Sequence, residues 1–163
     1  MIKLNVGSGL DYKEGYINID GSDLSKVDKI IDFNSDSLIN HFELNSVDYI
    51  LANTFIEHFY HWEAVQILKD FYKVLKPLGS VEITVPDISF VCSTWRMNIQ
   101  EKITYLYGGQ DKGEGEGRKK FPHYFCHKYG YTRKSMKTEL LDIGFSQVTT
   151  KYGGRNFIAK ASK

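Results

Sequence analysis

The chain has 163 residues, 42% of them hydrophobic and 25% charged, with a formal net charge of +1. That length holds one domain with a real core and is too short for two of ordinary size, so no separate substrate domain is expected. No apolar run approaches the roughly 20 residues of a membrane span, no basic flank and long apolar segment suggest export, and Cys92 and Cys126 belong to no CxxC pair, so a cytoplasmic protein with free thiols is expected.

Short runs rich in Ile and Val at 2–6, 16–19, 27–31, 47–51 and 81–85 read as buried strands of a parallel sheet with helices on both faces. The first breaks into Gly7-Ser8-Gly9, and the second ends on Asp20. Glycines at a strand end let a ligand approach bare backbone N–H groups, and a carboxylate ending the neighbouring strand accepts from a ribose diol. This pair predicts a nucleoside site. Between Gly9 and Asp20 there is room for a turn or two but not for a full crossover helix. Asp32 follows the third run, as a hydrogen-bond acceptor open to a ligand or as a cap for the next turn. The fourth run carries Asn53 to the same rim of the sheet.

From Trp62 to Lys76 the residues Ala64, Leu68, Phe71, Tyr72 and Leu75 recur three or four apart, which predicts an amphipathic helix stopped at Lys76-Pro77 and turned by Gly79. Strand five runs into Pro86-Asp87. One helix is expected over about 88–107, with Trp95, Ile99 and Ile103 on one side. Gly108–Lys120 has little to bury and reads as a mobile linker or a lid. Phe121–Tyr131 follows, dense in rings and imidazoles, and is the candidate segment for acceptor recognition. Thr132 then caps a helix carrying Met136, Leu140 and Leu141 and ending at Gly144. Phe145–Lys151 and Asn156–Lys160 alternate as two strands joined through Gly153-Gly154.

The stretches LNVGSGLDYKEGYINID, VDYILANTFIEHF and FYKVLKPLGSVEITVPD together resemble the small class I methyltransferases that use S-adenosylmethionine, and the resemblance runs through most of the chain. It implies an α/β fold: a three-layer, doubly wound, Rossmann-like and mostly parallel seven-stranded sheet with a C-terminal antiparallel hairpin. It also implies a single domain, 1–163, with an insertion at about 88–131. S-adenosylmethionine would be held by Asn5, Gly7, Gly9, Asp20, Asp32 and Asn53. Two departures from the family pattern stand out, Asp11 where another glycine is usual and Leu78 in place of a glycine before Gly79.

On the acceptor side the candidates are His58, Asp87 and the segment His123–Tyr131, within which imidazole chemistry makes His127 the first choice for a general base. His58, in the family's Glu-His segment, either faces the reacting groups or holds its loop. No metal is assigned; a zinc set of His123, Cys126 and His127 lacks the second spaced pair that such sites usually show. Residues 111–163 carry twelve Lys or Arg against five acidic groups, either a solvated surface or the lining for an anionic acceptor. Their scatter argues against nucleic acid, and a small or sugar-containing acceptor is expected. Two rival readings are a catalytically silent binding or scaffold protein on the same fold and a nicotinamide dinucleotide oxidoreductase. The second lacks the third glycine at its proper spacing.

Overall fold

A computed structural model describes residues 1–23, 26–110 and 122–163. Its centre is a seven-stranded sheet in the order β3-β2-β1-β4-β5-β7-β6. The strands are β1 (Lys3–Val6), β2 (Ile17–Asp20), β3 (Lys29–Ile30), β4 (Val47–Asn53), β5 (Leu75–Pro86), β6 (Ser146–Gly153) and β7 (Asn156–Ser162). The pairings from β3 through to β5 are parallel. β7 inserts antiparallel between β5 and β6, giving the expected C-terminal hairpin.

Register explains why the strands bury what they do. Residues directly opposite in a sheet share a face, and neighbours along a strand alternate. The row Ile19–Val6–Ala52–Ile83–Ala159 therefore lies on one face and the row Asn18–Asn5–Leu51–Glu82–Lys160 on the other. Every member of the first row is fully buried in the main core cluster. That cluster also holds Ala64, Leu68, Phe71 and Val74 of helix α1 (His61–Val74) and Met136 and Leu140 of a C-terminal helix over Arg133–Ile143. Among the described residues no helix occupies the β1–β2 or β2–β3 connection. The opposite face is instead stitched by polar groups: Asn5 Nδ2 donates to Asn18 Oδ1 at 2.9 Å, Tyr49 Oη to Glu82 Oε2 at 3.0 Å, and Lys160 Nζ reaches Glu82 Oε2 at 2.7 Å.

Two elements differ from the sequence expectation. The helix over Trp62–Lys76 stops two residues early, at Val74, because Leu75 is already extended and pairs with Val47. The register resumes at Tyr49↔Ser80, so residues 76–79 bulge out of a continuing strand rather than end a helix. Leu78 fills the left-handed position of this bulge at φ 68°, 88% exposed. Gly79 is needed for close approach, since a Cβ there would lie 2.9 Å from the Lys76 carbonyl oxygen.

The single helix over 88–107 is two: α2 (Ile88–Ser93) and α3 (Ile99–Leu106), which makes the C-terminal helix α4. Thr94 is extended, and Asn98 starts α3 afresh, its side chain accepting from the Glu101 N–H while Glu101 accepts from the Asn98 N–H. Trp95 and Ile99 are 88% and 73% exposed rather than packed. Most of the expected lid or linker, 111–120 of Gly108–Lys120, lies outside the described residues, as does Phe121. Among the described residues no helix is long and apolar enough to cross a membrane.

Candidate functional site

The C-terminal ends of β1, β2 and β4 form one rim, and the two glycines there serve different ends. Both have positive φ, 66° at Gly7 and 50° at Gly9. A Cβ on Gly7 would fall 2.3 Å from Phe55 Cδ2, so its bare Cα makes room for a core ring. A Cβ on Gly9 would meet nothing within 4 Å. The backbone open to a ligand is thus at Gly9, with the Ser8 hydroxyl beside it, buried and without a hydrogen-bond partner among the described residues.

Asp20 closes this rim. Its Oδ2 accepts from the Gly9 N–H at 2.9 Å, and its Oδ1 from the Ser22 N–H at 3.1 Å and hydroxyl at 2.8 Å. A carboxylate offers about four lone-pair sites, so three donors leave Asp20 with capacity for one more. Asn53 ends β4 on the same rim, exposed. Asp32 holds the next turn, its Oδ1 accepting from the Asn34 N–H and side-chain amide. Asn5 is set back from the rim and buried. Its amide donates to the Asp11 carbonyl at 2.8 Å and to Asn18, which ties the first loop to β2 across the place where the family pattern has a further glycine.

Tyr124, which sequence reasoning placed with the acceptor-side segment, instead reaches this rim. The Tyr124 hydroxyl sits 3.5 Å from the Gly21 carbonyl oxygen, and a Cβ on Gly21 would stand 3.3 Å from it. Burial pushes the Tyr124 phenol up, with the Asp32 carboxylate next in effect.

The acceptor-side candidates divide. His58 and His127 come together, although far apart in the chain, with ring centroids 5.1 Å apart. Backbone bonds dock the two segments: the Lys128 N–H donates to the Glu57 carbonyl at 2.8 Å, and His58 Nδ1 lies 3.1 Å from the Cys126 carbonyl oxygen. Gly108 lets the insertion pass, because a Cβ there would lie 2.2 Å from the Phe125 carbonyl oxygen. A carbonyl only accepts, so the His58 proton is on Nδ1 and Nε2 carries the lone pair. Burial holds the His58 imidazole down at about 4, reinforced by His127 and opposed by the carbonyls of Cys126 and Thr54. It is neutral at neutral pH.

Asp87, the third acceptor-side candidate, bridges to Tyr131 in the backbone and is held by its own partners. It is 1% exposed, accepts from the Phe90 N–H at the start of α2, and faces Arg133 Nε at 3.4 Å. Glu57, which sequence reasoning placed only within the Glu-His segment, lies beside the two imidazoles, 1% exposed, with both carboxylate oxygens unpartnered among the described residues. Burial pushes its carboxyl up to about 8. Burial raises the phenols of Tyr131, whose hydroxyl is unpartnered among the described residues, and of Tyr105, which bonds the Asn156 side chain, with Glu57 a minor contributor to each.

No family model and no curated protein matches the chain. Solved structures do. A methyltransferase from Archaeoglobus fulgidus described as dependent on S-adenosylmethionine superposes with a TM-score of 0.67 over 99% of this chain and 85% of its own, at 14% identity. The 1,6-didemethyltoxoflavin-N1-methyltransferase of Burkholderia thailandensis, solved with 1,6-didemethyltoxoflavin and S-adenosylhomocysteine bound, gives 0.65 over 99% and 70%, also at 14% identity. An S-adenosylmethionine-dependent methyltransferase from Mesorhizobium loti gives 0.63 over 99% and 90%, at 9% identity. At these identities the likeness speaks for the architecture, and with the strand order and the antiparallel β7 it identifies this chain's fold as that of the class I S-adenosylmethionine-dependent methyltransferases.

Proposed function

We propose that this chain is an S-adenosylmethionine-dependent methyltransferase acting on a small or sugar-containing acceptor. The observation that carries the reading is the open backbone at Gly9 beside the Asp20 carboxylate, at the ligand-binding rim of a methyltransferase fold. Asp20 takes the ribose hydroxyls, the Ser8 hydroxyl and Asn53 meet neighbouring polar atoms, and Asp32 with Tyr124 borders the adenine. Gly7 supports this rim from behind by admitting Phe55, and Asn5 by holding the loop.

The donor, when bound, supplies a methyl carbon made electrophilic by its sulfonium. The chain has then to orient the acceptor and manage its proton. His127 takes that proton, and the neutral His58 ring orients His127 from its anchored position against Cys126. Titration calorimetry with S-adenosylmethionine, S-adenosylhomocysteine and NAD tests the donor half: binding of the first two without NAD is expected, and binding of neither refutes it. Screening extract fractions with labelled donor tests turnover. Donor binding with no methylated product in any fraction favours the scaffold reading. Once an acceptor is in hand, His127→Ala is expected to lower turnover by about 10²–10⁴ with donor affinity unchanged.

A further inference from the structure

We propose that Glu57, His58 and His127 bind a divalent first-row transition metal, Zn²⁺ foremost, at a site with an open coordination position. Among the described residues this is the group of His, Cys, Asp and Glu whose ligand atoms gather, all within 4.8 Å of one another. Two imidazoles and one carboxylate form the protein ligand set of catalytic zinc sites and of facial triads, both of which leave room for water or substrate oxygen. Oxygen-seeking Mg²⁺ and Ca²⁺ are poorly matched to two nitrogens. A tetrahedral ion bonded at about 2.0 Å needs ligand atoms about 3.3 Å apart, so the three, within 4.8 Å of one another here, must draw together on binding.

Two independent features point to a cation rather than to chance proximity. The Glu57 carboxylate is sealed from water, and neither oxygen has a donor among the described residues. Buried carboxylates are ordinarily paired or bound to metal. His58 donates its Nδ1 proton to the Cys126 carbonyl, the outer bond by which metal-binding histidines are oriented, and this leaves Nε2 to coordinate. The backbone bond from Lys128 to Glu57 holds the two ligand-bearing segments together without using any of the three side chains.

The alternative set suggested by sequence, His123 with Cys126 and His127, does not gather; the Cys126 thiol turns to the His123 carbonyl oxygen at 3.3 Å. Ligation and proton transfer draw on the same His127 lone pair, so an occupied metal site would remove His127 from the role of base; metal binding itself is measured without donor or acceptor.

The test is calorimetric titration of the full chain, stripped with a chelator, with Zn²⁺, with Mg²⁺ as control, and with metal analysis after dialysis. One Zn²⁺ per chain is expected, with affinity reduced by about tenfold or more in Glu57→Gln and in His127→Ala. His123→Ala and Cys126→Ser are expected to bind as the parent does, since the bond to His58 comes from the Cys126 backbone. His127→Ala, at a partly exposed position outside the core cluster, keeps the experiment decisive if Glu57→Gln misfolds. No stoichiometric Zn²⁺, binding retained in both ligand variants, or binding lost in Cys126→Ser overturns the proposal. Titration with S-adenosylhomocysteine in the same preparations reports on the donor site separately.

Discussion

Gly7 and Gly9 occupy equivalent places in a short motif, and the structure predicts opposite consequences for replacing them. In Gly7→Ala the new methyl lies 2.3 Å from Phe55 Cδ2, 2.9 Å from Cγ and 3.0 Å from Cβ. Turning the ring moves Cδ2 but neither Cγ nor Cβ, so the backbone itself must shift. Such overpacking costs about 1–3 kcal/mol, and the left-handed φ of 66° adds about 1–2 kcal/mol. The sum, about 2–5 kcal/mol, is a large part of the stability of about 5–15 kcal/mol usual for a domain. In Gly9→Ala only the conformational cost of about 1–2 kcal/mol applies, because the methyl enters open space. Urea unfolding monitored by circular dichroism should place the Gly7→Ala midpoint about 1–2 M below the parent with an unchanged slope, and Gly9→Ala between the two. Affinity for S-adenosylhomocysteine should fall in Gly9→Ala, whose methyl occupies ligand space. A double-mutant cycle with Phe55→Leu should recover part of the Gly7→Ala loss. Equal midpoints for the two alanine variants, or no coupling between positions 7 and 55, would refute the assignment of Gly7 to core packing.

Asp20→Ala is expected to weaken S-adenosylhomocysteine binding by about 1.5–3 kcal/mol and also to lower the unfolding midpoint, because the Gly9 and Ser22 donors lose their acceptor; unchanged affinity in a folded variant removes Asp20 from the donor site. Asp87→Ala should cost about 1–3 kcal/mol in urea unfolding, less than a fully buried ion pair since Arg133 is half exposed, with donor affinity untouched; a selective loss of turnover in a fully stable variant would instead return Asp87 to the reaction. Trp95→Gln and Ile99→Gln should each alter stability by less than about 0.5 kcal/mol, and a larger loss by differential scanning calorimetry would show that these side chains pack after all.

Local patterns in the sequence were enough for the β-strand core, the helix capped by Thr132 and stopped at Gly144, the hairpin and the Gly9–Asp20 rim, because each follows from alternation, capping or glycine conformation within a few residues. Resemblance extended these to a sheet topology. Tertiary structure alone decided the rest. Gly7 and Gly9 read alike as sequence, and only the Phe55 ring, brought in from beyond β4, separates them. Leu75 looked helical by its spacing and became strand because Val47 offered it a partner; Trp95, Ile99 and Ile103 kept helical spacing across a break made by extended Thr94 and a new cap at Asn98. His58 meets the Cys126 carbonyl across 68 positions of chain, and Glu57 becomes chemically notable only once burial strips its carboxylate of water. A sequence displays which groups are present and how they recur, whereas desolvation and long-range contact depend on what the folded chain places around them.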